Sequence, residues 1–164
     1  MTENTLVSIY IPTHNRCELL KRAIDSVFCQ TYPNIELFII NDGSSDLTKK
    51  FLDSLTHPRI QIHIIHQDKP QGACVARNLA INQAKGQLIT GLDDDDEFLP
   101  SRIADLVKDY DPNYAFVCTG FYWDYGKKRR LVNADEMTIN LSEQLDYNYA
   151  SNQVLVETER LKAI

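Results

Sequence analysis

The chain has 164 residues, enough for one domain with a real core, and its 43% hydrophobic and 24% charged content is ordinary for a soluble globular protein. A net charge of −6 with no basic stripe to offset it excludes a nucleic-acid binder held by phosphate contacts. No run approaches the ~18 apolar residues of a membrane span, and MTENTLVSIYIP lacks the basic-then-apolar pattern of a signal peptide.

Leu6 to Ile11 reads as a short strand of apolar and β-branched residues, ended by Pro12. From Arg16 the positions Leu19, Leu20, Ala23, Ile24, Val27 and Phe28 recur at three and four, which predicts a helix with one buried face. Ile35 to Ile40 is too apolar to keep a wet face and predicts a strand covered on both sides. A polar loop, Asn41 to Asp46, leads into a helix from Leu47 to Leu55 with Ser45 or Asp46 as its N-cap. Ile60 to Ile65 is the third strand. Gly72 to Ala84 is the third helix, stopped by a cation and a glycine, Lys85-Gly86. Gln87 to Leu92 is the fourth strand, and Pro100-Ser101 opens a fourth helix. Tyr114 to Tyr122 and Val154 to Glu157 predict two more strands, and Lys127 to Arg130 a solvated hairpin turn. Three of the four scattered cysteines read as small buried hydrophobes of a reducing compartment, so a cytoplasmic protein is expected.

Alternating strands and helices predict a mostly parallel central sheet with helices on both faces, a Rossmann-like three-layer α/β/α fold. Ligands of such sheets bind beyond the carboxyl ends of the strands. The three most polar loops, Pro12–Arg16, Asn41–Asp46 and Asp93–Glu97, all follow strands, so they are expected to converge. The first turn, PTHNRCEL, contains no glycine and excludes a dinucleotide fingerprint, and a Walker loop is absent. An EF-hand reading of Asp93, Asp95 and Glu97 fails at Phe98, where glycine is required, and at Ala104, where an acid is required. A receiver-type phosphoacceptor lacks its lysine. Adjacent carboxylates resist ionisation unless something positive stabilises them. Mn²⁺ or Mg²⁺, held by one or two carboxylates and by substrate phosphate, would supply that charge.

Four blocks in order, VSIYIPTHNR, ELFIINDGSSD, GACVARNLAINQAKGQLI and LDDDDEFLP, closely resemble the donor-binding N-terminal part of the family 2 glycosyltransferases, which have the GT-A fold. The resemblance runs from Val7 to about Leu161 and implies a single nucleotide-sugar-binding domain over residues 1–164. It implies that Pro12, Thr13, His14 and Asn15 lie at the nucleoside, although a plain turn also suits these residues. Asp42 matches the acid that accepts from uracil, and Arg77 a basic residue facing the nucleotide. Asp93-Asp94-Asp95 aligns with the family's D-x-D, with Asp95 as metal ligand, Asp94 nearest the ribose and Asp93 supporting the loop. An acid at Asp94, where the family usually has a small residue, leaves the division of labour among the three open. Tyr122 and Trp123 read as core packing, with an acceptor channel as their other use.

By this resemblance the chain is part of an inverting transferase that moves a sugar from a UDP-sugar to a glycan or lipid-linked acceptor. Its place of work would be the cytoplasm or the inner face of the membrane, reached through a later segment. The expected function is the making of surface polysaccharide or lipid-linked glycan. The family's general base lies in a later segment, so no catalytic residue is assigned and the chain is expected to be cut short before it. Asp135, Glu136 and Glu143 are weak substitutes. The other readings are a non-catalytic nucleotide-sugar-binding module and a sugar nucleotidyltransferase. The latter would want a Gly-rich basic loop where PTHNR stands.

Overall fold

Period-two burial, not overall hydrophobicity, decides how the strands are covered. In β1 (Val7–Thr13) the side chains of Val7, Ile9 and Ile11 enter one core, and Tyr10 enters the other. In β2 (Ile35–Asp42) Ile35, Leu37 and Ile39 join the first core, while Phe38 and Ile40 join the second. Both strands are buried along their whole length, as expected for a sheet with helices on two faces. These coordinates are a computed structural model describing residues 4–133, 135–147, 150 and 153–164.

The sheet is completed by β3 (Gln61–Gln67), β4 (Leu88–Gly91) and β7 (Val156–Glu157), in the order β3-β2-β1-β4-β7. The first four strands are parallel, and β7 runs antiparallel to β4. Helices α1 (Cys17–Phe28) and α4 (Arg102–Lys108) cover the first face with Leu20, Ala23, Ile24, Val27, Ile103 and Leu106. Helix α3 (Ala73–Gln83) covers the second through Ala76 and Ala80, whose small side chains let the helix approach closely. The three-layer α/β/α arrangement expected from sequence is the one observed.

From β1 the chain builds the sheet outward through β2 and β3, then crosses back to lay β4 on the other side of β1. The carboxyl ends of β1 and β4 therefore flank a topological switch point, where the loops diverge and leave a crevice.

Several expectations need correction. Pro12 does not end β1, but pairs with Ile40 inside it. Leu92 donates to the Tyr10 carbonyl, so the edge that Tyr10 and Pro12 share faces β4. The strand β4 stops at Gly91, and the missing N–H of Pro12 costs no ladder bond. Helix α3 ends at Ala84 in extended backbone, and Gly86 is not a left-handed stop. Its glycine is needed for packing: a Cβ there would lie 2.6–2.8 Å from Ser8 Oγ, Ser8 N and the Leu6 carbonyl. The buried Glu36 carboxylate accepts from Lys85 N, Gly86 N and Ser8 Oγ beside it.

Helix α2 is shorter than expected (Thr48–Leu52), and Asp46 rather than Ser45 accepts from its Thr48 N–H at 2.9 Å. The strand expected over 114–122 is also not formed. Val117 makes an isolated bridge to Leu155, and the chain then enters a hairpin of β5 (Phe121–Asp124) and β6 (Arg129–Val132). At Gly120 a Cβ would sit 2.5 Å from the Asn133 carbonyl, so the chain crosses the base of the hairpin here instead of following the sheet. Of the turn expected over Lys127 to Arg130, Lys127 and Lys128 join the two arms, while Arg129 and Arg130 pair within β6. Tyr122 and Trp123 are exposed on it, neither core nor crevice. A further helix, α5 (Leu141–Asp146), opens with a capping box of Asn140 and Glu143, and α6 (Thr158–Lys162) follows β7. Only Cys17 is buried; Cys118 is half-buried, and Cys29 and Cys74 are exposed.

Candidate functional site

Thr13 closes β1 and points its hydroxyl at Asp94, and His14 and Arg16 beyond it belong to the first wall of the crevice. Asn15 adopts φ 55°, a left-handed conformation that asparagine tolerates better than most side chains. That turn aims its amide oxygen at the backbone of the second loop, where it accepts from Ser45 N at 2.7 Å and Asp46 N at 3.3 Å. Its own N–H donates to Ser44 Oγ at 2.9 Å. His14 Nδ1 lies 2.6 Å from the Asp42 carbonyl, which can only accept, so this nitrogen carries the proton. Nε2 then accepts from the Asn15 amide at 2.9 Å. The first two loops are thereby fastened together.

In the second loop Asp42 is buried at the end of β2. Its Oδ1 accepts from Gln67 Nε2 and Gln71 N, both at 2.7 Å, and its Oδ2 from Gly72 N at 2.8 Å. The carboxylate thus anchors the approach to α3. Gly43 makes that approach possible: its φ is +63°, and a Cβ there would lie 2.6 Å from the Lys69–Pro70 peptide. From α3, Ala73 and Ala76 line the crevice, and Arg77 reaches across to Asp93 Oδ1 at 2.8 Å.

The third loop carries the aspartates. Asp94 is buried, its Oδ2 accepting from Thr13 Oγ1 at 2.7 Å and its Oδ1 from Arg16 Nη1 at 3.0 Å. The same Arg16 nitrogen reaches Asp95 Oδ2 at 2.9 Å. Asp96 turns away to accept from Gln153, and Glu97 accepts from Arg22. Burial, then the neighbouring charges of Asp95 and Asp93, push the Asp96 carboxyl up, while the Gln153 hydrogen bond and Arg102 oppose this. Hydrogen bonding to Asp94, then the charges of Asp94 and Asp95, raise Arg16 above the usual guanidinium value. The acidic run is therefore offset in part by the chain's own Arg77, Arg16 and Arg22, a partnership that sequence reading did not find.

Pro12, Thr13, His14, Asp42, Arg77, Asp93, Asp94 and Asp95 all line one crevice of about 380 Å³. Asn15, expected with them, does not; it braces the walls from behind. Arg16, Ala73 and Ala76 were missed. A cation directly after the first-strand loop was the available sign for Arg16. The alanines carry no chemistry to notice.

Among the described residues no three His, Cys, Asp or Glu side chains form a ready-made metal cage. A hard cation that takes one or two carboxylates and completes its shell with phosphate and water does fit the donor set, with the half-exposed Asp95 at the rim and Asp93 beside it.

A sequence model of glycosyl transferase family 2 matches residues 8–161, nearly the whole chain. The chain belongs to glycosyl transferase family 2. Among its relatives is WcaA of Escherichia coli (strain K12), a glycosyl transferase named for colanic acid biosynthesis, 46% identical over 106 residues. That match covers 63% of this chain and 37% of the relative, so the chain spans well under half of its length. The S. aureus TarS 1-349 structure in complex with UDP-GlcNAc superposes with a TM-score of 0.80 at 18% identity, covering 96% of this chain and 47% of that one. A mannosyltransferase from Pyrobaculum calidifontis, PcManGT, in complex with GDP-Man and Mn2+, superposes with a TM-score of 0.66 at 24% identity, covering 71% and 35%. The family 2 chain described here shares the GT-A fold with them.

Proposed function

We propose that this chain is the donor-binding part of an inverting glycosyltransferase that uses a UDP-sugar with Mn²⁺ or Mg²⁺ in polysaccharide or lipid-linked glycan synthesis. The observation that carries the reading is the meeting of three strand-end loops, 81 residues apart from Thr13 to Asp94, in one crevice of a family 2 chain. A relative named for colanic acid biosynthesis, and neighbours solved with UDP-GlcNAc or with GDP-Man and Mn2+, support it.

In this reading Asp42 keeps Oδ1 for Gln67 and Gln71 and offers the second lone pair of Oδ2 to the ring N–H of uracil. Its bond to Gly72 sets the entry of α3, so base recognition and the position of Arg77 depend on the same carboxylate. Thr13 and Arg16 fix the Asp94 carboxylate, which in this reading lies next to the ribose. Asp95 and Asp93 would hold the divalent cation, which as a Lewis acid would stabilise the departing diphosphate. Arg77 adds a fixed positive charge to that side of the crevice.

Transfer with inversion is an in-line displacement. The acceptor hydroxyl loses its proton to a general base and its oxygen bonds the anomeric carbon, while the bond to the diphosphate oxygen breaks and its electron pair leaves with UDP. In this reading each carboxylate lining the crevice already has a duty toward the donor, Asp42 at the base, Asp94 at the ribose, and Asp93 and Asp95 at the cation. Glu143 is committed to the capping box of α5. The base is therefore assigned to a part of the full enzyme outside this crevice wall.

The test combines calorimetric binding with a transfer assay. This chain is expected to bind UDP in preference to CDP and GDP, yet to transfer sugar ~10²–10⁴-fold more slowly than a full-length relative, the usual worth of general-base help. Equal affinity for all three nucleotides would overturn the donor reading, and comparable turnover would overturn the assignment of the base.

A further inference from the structure

Arg16 occupies a peculiar position for a loop cation. One guanidinium nitrogen is shared between two successive carboxylates, 3.0 Å from Asp94 Oδ1 and 2.9 Å from Asp95 Oδ2. The two arms differ in their surroundings. The Asp94 side chain is 7% exposed and has a second donor in Thr13, whereas Asp95 is 50% and Arg16 51% exposed. Loss of the Asp94 arm would leave a buried carboxylate short of a donor, which is expensive. The Asp95 arm is a solvent-screened surface pair, which contributes little and breaks easily.

We propose that Arg16 is a tethered counter-ion that the divalent cation displaces from Asp95, and that its freed donors then turn toward the donor diphosphate. The inference rests on the metal-bridged reading above and gives it an order of events. Before the cation arrives, Arg16 bridges Asp94 and Asp95 and relieves the repulsion between them. A divalent ion carries twice the charge and bonds directly to a carboxylate oxygen, so it competes well for the exposed arm and poorly for the buried one. Arg16 keeps its hold on Asp94 through the fixed geometry of its fork and remains in the crevice it lines. Its remaining N–H groups suit bidentate recognition of phosphate oxygens. The cation alone is held back by the resident guanidinium; cation and nucleotide together are not, because the diphosphate gives the displaced charge a new partner. The acidic loop is thus biased against binding metal without substrate.

The experiment measures Mn²⁺ alone by electron paramagnetic resonance, and UDP with and without Mn²⁺ by calorimetry, for wild type, Arg16→Ala, Arg16→Gln and Arg16→Lys. Removal of the charge is expected to tighten Mn²⁺ roughly 2–5-fold in the absence of nucleotide, the size expected for losing one competing exposed pair. Arg16→Lys keeps the charge and should stay near wild type for Mn²⁺ alone while losing part of the UDP affinity that the fork supplies, and the glutamine variant keeps the result interpretable if alanine unfolds the loop. The variants that gain Mn²⁺ affinity should also lose part of the UDP affinity measured with the metal. If Mn²⁺ strengthens UDP binding in wild type but the charge-removing variants show no gain for Mn²⁺ alone, the role of Arg16 is wrong and the metal-bridged site stands. If Mn²⁺ neither binds any of the proteins nor changes UDP affinity, the metal-bridged reading fails and this inference fails with it.

Discussion

Asp42 carries three hydrogen bonds from its own chain in the absence of any ligand, which makes it both a structural residue and the proposed reader of the base. Its replacement has two separable consequences. Asp42→Ala removes the acceptor of Gln71 N and Gly72 N, both on exposed residues where water can take its place, so a net loss of about 1 kcal/mol is expected, which denaturant titration would register. It should also weaken UDP and narrow its advantage over CDP, because cytosine lacks the ring N–H that the carboxylate accepts. A variant that loses stability but keeps the full preference for UDP would confine Asp42 to its structural duty. At this scale the chemistry-bearing positions were legible in the sequence, since acids and a histidine at strand ends have few other reasons to collect there. Which atom meets which was not. Asn15 looks like a contact residue, yet its left-handed turn points its amide at Ser45 and Asp46, 30 residues along, a partner no local pattern announces.

The turn that follows α4 is fastened to β7 through Tyr110. The Tyr110 hydroxyl donates to Glu157 Oε1 at 2.6 Å. Burial first, then that hydrogen bond and the Glu157 charge, push its ionisation from 10.0 up to about 12. A folded-state value above the unfolded one means the stabilisation is complete below pH 10 and is lost as pH rises through about 12. Absorbance at 295 nm should therefore show Tyr110 titrating late, together with Tyr10, which burial also pushes up, and Tyr110→Phe should remove its share of that late step. Titration of all tyrosines together near pH 10 would contradict the contact. The Tyr110–β7 contact was invisible to sequence reading because β7 is only two residues long and pairs antiparallel at the edge. Longer elements were legible: α1 carries three-and-four spacing, β1 and β2 are apolar runs, and these with α3 fall within a few residues of expectation. The apolar run from Tyr114 to Tyr122 misled, since hydrophobicity shows that a segment can pair but not with what. Gly120 sends it into the hairpin with β6.

The molecule as a whole places its negative charge where the order of the strands demands a ligand. Reversal of strand order at β1 opens the crevice, and the loops after β1, β2 and β4 line it. That topology follows from the alternation of strands and helices, which is why the crevice could be anticipated without coordinates. The internal counter-ions could not, because Arg16 and Arg77 meet their aspartates from 79 and 16 residues away. The half-exposed pair of Arg16 with Asp95 is the most solvent-screened of these contacts, and in the proposed reading it is where an external cation enters. UDP affinity with Mn²⁺ and after chelation, compared between wild type and Asp95→Ala, tests this most directly. The account predicts that Mn²⁺ strengthens UDP binding to the wild type, and that Asp95→Ala, folded to the same extent, loses that enhancement while keeping its metal-free affinity. Equal UDP affinity in the wild type with and without metal would contradict it.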